Sequence, residues 1–106
     1  MVAAGDQASP LWITETGWPV KMPGWDLGEH APWALDFAIQ ADYYAALPET
    51  VAREWPFVAA LFPFNLDFST VAWYPAGEQM RAYALLNPDG SPRPAYTALR
   101  AALRGR

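Results

Sequence analysis

Residues 10–19 read Pro10-Leu11-Trp12-Ile13-Thr14-Glu15-Thr16-Gly17-Trp18-Pro19. The apolar and β-branched run from Leu11 to Glu15 predicts a strand, and Gly17 and Pro19 end it. A glutamate that closes an apolar strand between aromatic neighbours carries a desolvation cost unless it has a task. Alternation places Leu11, Ile13 and Glu15 on one side of the strand and Trp12 and Thr14 on the other. Taken alone, a strand-end glutamate also suits a loop edge or an ion pair.

Outward from this strand the chain alternates β and α. Residues 1–4 read as a helix end closed by Gly5. Residues 17–33 hold Gly17, Pro19, Pro23, Gly24, Gly28 and Pro32, which predicts a long loop. Helical spacing of Leu35, Phe37, Ala38, Ala41, Tyr44 and Ala45 predicts a helix over 34–54. Pro32 suits its first turn, and Pro48 is expected to kink or split it. Phe57 to Phe62 is a continuous apolar run, the pattern of a parallel strand buried on both faces, with Pro63 at its ragged end. Residues 65–80 form a second long loop, and Tyr83 to Leu86 is at most a short strand. Asn87-Pro88-Asp89-Gly90 is a turn, Ser91 is the expected cap of a last helix, and Tyr96, Leu99 and Leu103 its buried face.

Composition bounds the function. The 106 residues suit one small domain, 53% hydrophobic and 15% aromatic with six tryptophans. Residues 1–80 carry two basic and ten acidic side chains, whereas 81–106 carry five arginines and only Asp89. The acidic part argues against a phosphate-neutralising surface, so no nucleic-acid partner is expected. Arg100 and Arg104 suit the last turns of a helix, where cations meet the negative end of its dipole. With no cysteine there is neither a disulfide framework nor a thiolate metal site. His30 lacks spaced ligand partners and reads as a solvated loop residue, so no metal and no cofactor are expected. No apolar run approaches the length of a membrane span, and no membrane partner is expected.

The segment Pro10 to Trp18 resembles the seventh-strand motif of the clan of retaining glycoside hydrolases with (β/α)₈ barrels, which includes cellulase-like and β-xylosidase-like enzymes. In that clan the glutamate of a Trp-x-Thr-Glu-x-Gly-Trp pattern is the nucleophile, and the resemblance implies that role for Glu15. Gln40-Ala41-Asp42-Tyr43-Tyr44 is similar to the helix that follows. Trp55-Pro56-Phe57-Val58 through Phe62-Pro63-Phe64-Asn65-Leu66-Asp67 resembles the eighth strand. Tyr83 to Tyr96 resembles the closing turn and last helix, and Met1 to Asp6 the helix end before the seventh strand.

The resemblance implies an α/β fold, the C-terminal portion of a (β/α)₈ TIM barrel spanning strand 7, helix 7, strand 8 and helix 8. A whole barrel takes about 250 residues, so residues 1–106 would be a partial catalytic domain whose partner is the N-terminal part of the same barrel. The implied activity is hydrolysis of O-glycosidic bonds in a polysaccharide or oligosaccharide. The clan's acid/base, a glutamate after asparagine on the fourth strand, has no counterpart here, and Phe64 stands where the clan often has tryptophan. Retaining hydrolysis needs two carboxyl groups about 5–5.5 Å apart, so this chain alone is expected to be inactive. The candidate substrate contacts are Trp18, Trp25, Phe64, Asn65 and Asp67, the last also readable as a loop cap. Trp33 and Trp73 are further aromatic candidates; the other reading of Trp33 is helix packing, and that of Trp25 and Trp73 is loop anchoring. The alternatives are a non-catalytic carbohydrate-binding or assembly fragment, and an inactive truncated reading frame.

Overall fold

The computed structural model describes residues 8–75 and 77–105. The expected helix end at residues 1–4 lies outside them. Strand β1 (Leu11–Thr16) pairs in parallel with β2 (Val58–Pro63), and α1 (Phe37–Glu54) connects them. A second helix, α2 (Pro94–Arg104), packs against α1 and closes a small mixed α/β domain. The β-α-β-α order and the adjacent parallel strands agree with the sequence.

Local details differ from the sequence reading in several places. Pro48 does not split α1, which is one continuous helix. The lost amide bond and ring clash cost about 3 kcal/mol, but Tyr44 and Leu47, just ahead of Pro48, are buried in the main core and hold the helix together. The helix also starts later than expected, at Phe37, because Pro32 and Trp33 belong to a separate 3₁₀ turn over Gly28–Trp33. Residues 83–86 form no strand: Gln79–Tyr83 is a 3₁₀ turn, and Leu86 makes only an isolated bridge to Pro92. Ser91 does not cap α2, since its amide and hydroxyl both donate to Asp89, and Arg93 occupies the cap position, with Pro94 opening the helix.

The core lies between the helices and one face of the sheet. Tyr44, Leu47, Leu85 and Ala95 are buried together, with Leu61, Tyr96 and Leu99 packed around them. Leu103 is exposed instead of completing that face. Only one side of the sheet is covered, contrary to the expectation for β2. Trp12 and Phe62 lie on the other side, 64% and 46% exposed, with ring centroids 5.9 Å apart. Among the described residues, each strand of this two-stranded sheet has one unpaired edge. The radius of gyration is 15.5 Å, against about 13 Å for a compact chain of this size. The surface area is 6741 Å², against about 5,900 Å² expected from the mass.

Arg93 fastens α2 to the rest of the chain. Its guanidinium is buried and donates to the carbonyls of Ala82 at 3.0 Å and Ala84 at 2.6 Å, and to Asn87 Oδ1 at 3.2 Å. It also sits 5.7 Å from the centre of the Phe37 ring, at the start of α1. Burial pushes its pKa down to about 10.

Because an aromatic sheet face and two strand edges are open, the isolated 106-residue chain is expected to self-associate and to bind an apolar dye such as ANS. Replacing Trp12 and Phe62 together by lysine should reduce both effects. A monomer with a cooperative thermal transition and no dye binding would contradict this.

Candidate functional site

The carboxyl end of β1 is where the two strands, α1 and both long loops meet. Ile13 pairs with Leu61, and Thr16 pairs with Pro63. Three residue steps on β1 therefore match two on β2, a bulge at Thr14–Glu15. Leu61 packs on the helices, so Ile13 shares the covered side of the sheet. Simple alternation would carry Glu15 to that side as well. The extra residue releases it, and Glu15 is exposed. The face assigned to Leu11, Ile13 and Glu15 from alternation alone is thus corrected by the bulge, and so is the buried setting expected for the carboxylate.

The backbone just after Glu15 is held from two sides. Thr16 O accepts the Phe64 amide at 2.7 Å and the Tyr44 hydroxyl at 3.3 Å. Gln40, fully buried and one helical turn before Tyr44, donates from Nε2 to Trp18 O at 2.7 Å. Between these bonds lies Gly17. A Cβ there would collide with the Phe64 carbonyl oxygen and stand 2.9 Å from Tyr44 Oη. Trp18 meets Tyr43 and Tyr44 edge-on at 5.2 and 5.1 Å and packs against the main core.

Most carboxylates have local partners. Asp67 accepts the Ser69 amide and hydroxyl, one on each oxygen, both at 2.8 Å. These bonds hold its carboxyl below the usual range, so it serves as the loop cap that the sequence allowed. Asp26, Glu78 and Asp89 accept backbone amides two residues on. Asp36 faces Lys21 at 3.7 Å, and Glu49 bonds Arg53 at 3.0 Å. Among the described residues, Glu15, Glu29, Asp42 and Glu54 have neither a hydrogen bond nor an ion pair of this kind, and of these only Glu15 lies in a strand, next to last in β1. No group of three His, Cys, Asp or Glu among the described residues is placed to hold a metal ion.

The loops carry a connected series of aromatic rings that the sequence did not reveal. From Phe64, beside Thr16, one branch runs to Tyr83 at 5.9 Å and then to His30 at 5.5 Å. His30 meets Trp33 at 6.0 Å. The other branch runs from Phe64 to Phe68 at 5.6 Å, to Tyr74 at 5.3 Å and to Trp73 at 6.2 Å. His30 is therefore not a solvated residue: its Nδ1 shares a 2.7 Å hydrogen bond with the Tyr83 hydroxyl. Trp33 packs on no helix core and is 61% exposed, and Trp73 is 78% exposed. Trp25 is half-buried beside Gly77, a contact between the two long loops. Asn65 follows a cis peptide bond, and its buried Oδ1 has no partner among the described residues.

The loops need no regular structure because Arg81 gathers one of them. Its Nε donates to Tyr74 O at 3.0 Å and Pro75 O at 3.1 Å. Its Nη1 and Nη2 donate to Phe68 O at 2.5 Å and Val71 O at 3.0 Å. The Val20 amide joins the first loop to Ala82 O at 3.1 Å. Neither the models of known protein families nor the sequences of curated proteins match the chain. No helix among the described residues is long and apolar enough to cross a membrane.

Two measurements check this clamp. Gly17→Ala forces backbone apart and is expected to cost about 3 kcal/mol of stability, read by urea unfolding. Unchanged stability would show that the close approach is not needed. Burial raises the Tyr44 pKa from 10.0 to about 12. The folded state thus keeps a proton that the unfolded state loses, and Tyr44's contribution is complete below pH 10 and disappears as pH rises through about 12. Phenolate absorbance should show Tyr44 titrating late in the protein, with that late step absent in Tyr44→Phe.

Proposed function

We propose that this chain is the C-terminal portion of a (β/α)₈ retaining glycoside hydrolase and that Glu15 is its nucleophile. The observation that carries the reading is the setting of Glu15: a carboxylate at the carboxyl end of a parallel strand, free of ion pairs and hydrogen bonds among the described residues, on backbone held by Tyr44, Gln40 and Phe64. Catalytic groups of parallel barrels come from the carboxyl ends of strands. Further support lies in the two free strand edges, the uncovered aromatic sheet face and the large surface. These fit a sheet continued by strands from upstream, with Trp12 and Phe62 lining the barrel interior.

In this mechanism the Glu15 carboxylate attacks the anomeric carbon, and the bond to the leaving oxygen breaks as a second carboxylic acid protonates that oxygen. The product is a glycosyl ester on Glu15. Water, deprotonated by the second group, then attacks the same carbon and frees the Glu15 carboxylate with net retention. Asp67 is unsuited to the acid role, because the Ser69 bonds stabilise its ionised form. The resemblance assigns the acid to the fourth strand, upstream of these residues, and on this reading residues 1–106 alone hydrolyse no glycoside.

An activated fluoroglycoside carries a leaving group that needs no proton, so it isolates the nucleophile. Incubated with the protein expressed from its complete reading frame, it should leave a sugar on the Leu11–Trp18 peptide, located by mass spectrometry. Glu15→Gln should abolish labelling with little change in fold. A label on Asp67, or wild-type turnover by Glu15→Gln, would sink the assignment.

A further inference from the structure

We infer that Trp33 and Trp73 are outer stacking platforms for one extended glycan, several sugar residues long, held over the loops that follow β1 and β2. The inference rests on the glycoside-hydrolase reading and goes beyond it by assigning two binding residues and a substrate length. Both loops leave the carboxyl ends of their strands, the end at which Glu15 stands. The aromatic series starts at Phe64, whose amide binds the residue after Glu15, and ends in an exposed indole on each loop. One short sugar at Glu15 has no use for two exposed platforms at opposite ends of that series.

Neither indole anchors its loop. The loop of Trp73 is held by Arg81 through the carbonyls of Phe68, Val71, Tyr74 and Pro75. Trp33 ends a 3₁₀ turn that the His30–Tyr83 hydrogen bond fastens. Each ring is exposed on backbone fixed by other groups, so a ligand that covers it meets little ordering cost. The two loop segments carry acidic residues: Glu29 lies in the same 3₁₀ turn as Trp33, and Asp67 and Glu78 bracket the segment of Trp73 in sequence. Acidic neighbours disfavour stacked nucleobases, whose phosphates they repel. They also disfavour a protein interface, whose buried centre is depleted of charge. A neutral sugar ring, apolar on its face and rich in hydroxyl donors at its edge, suits an exposed indole on an acidic loop.

The test uses the Glu15→Gln protein, expressed from its complete reading frame, so that binding is measured without hydrolysis. Isothermal titration with disaccharides and hexasaccharides of β-linked glucose, xylose and mannose is expected to show one hexasaccharide bound at least about tenfold tighter than its disaccharide. Trp33→Ala and Trp73→Ala should each lower that hexasaccharide affinity about tenfold and leave the disaccharide unaffected, with unchanged circular dichroism. Equal affinity for the two lengths, hexasaccharide binding that ignores both substitutions, or no binding to any of the six sugars overturns the inference. So does self-association that either substitution abolishes, since it assigns the indoles to a contact between copies. Labelling of Glu15 without tryptophan-dependent binding leaves the hydrolase reading standing and this one refuted. Tryptophan-dependent binding without labelling keeps the platforms and removes the nucleophile.

Discussion

One carbonyl oxygen, that of Thr16, ties the first strand to everything that follows it. It accepts an amide from the end of β2 and a hydroxyl from the middle of α1. A strand end that leaves its ladder must find such donors, because a buried unpaired carbonyl costs about 1–3 kcal/mol. The geometry explains the polar tips of two residues of α1, which an amphipathic pattern does not. Gln40 and Tyr44 are four apart, lie on one face and are both fully buried, each with its polar tip on the β1 exit. Gly17 is the matching requirement on the strand side, since any side chain would separate the two elements. The orientation of Glu15 therefore depends on helix packing that lies well away from the carboxylate itself.

A second principle organises the loops. Arg81 and Arg93 direct their guanidinium groups at main-chain carbonyls, and neither forms an ion pair with a carboxylate among the described residues. The planar fork offers five donors in fixed directions, so one side chain can satisfy several carbonyls that have no strand or helix to serve them. Long segments without regular structure thereby keep a defined path. Edge-to-face ring contacts add to this, linking the loop after β1 to the loop after β2 through Tyr83 and Phe64.

The sequence made the strands, their parallel order and the two helices legible, because periodicity and apolar runs report local burial directly. It failed where the outcome depends on distant groups. Pro48 is tolerated because Tyr44 and Leu47 are buried in the core, which no local propensity records. Ser91 follows Asp89 in a turn and is captured by it before it can cap a helix. His30 finds Tyr83, fifty-three positions away. Glu15 could be singled out from its neighbours in sequence, but the side of the sheet it serves could not. The bulge is a property of the pairing, and alternation along a single strand is blind to it.

The buried guanidinium of Arg93 gives the α2 junction an unusual electrical character. Its contacts are to neutral dipoles and one aromatic ring. Dissolved ions weaken attraction between exposed charges, over a range of about 8–10 Å at moderate ionic strength. They have little hold on a cation enclosed by carbonyl oxygens. Desolvation leaves this group with a pKa of about 10, so it stays charged throughout the neutral range. The seating of the last helix is thus indifferent to brine, whereas the exposed Lys21–Asp36 and Arg53–Glu49 pairs loosen as salt is added.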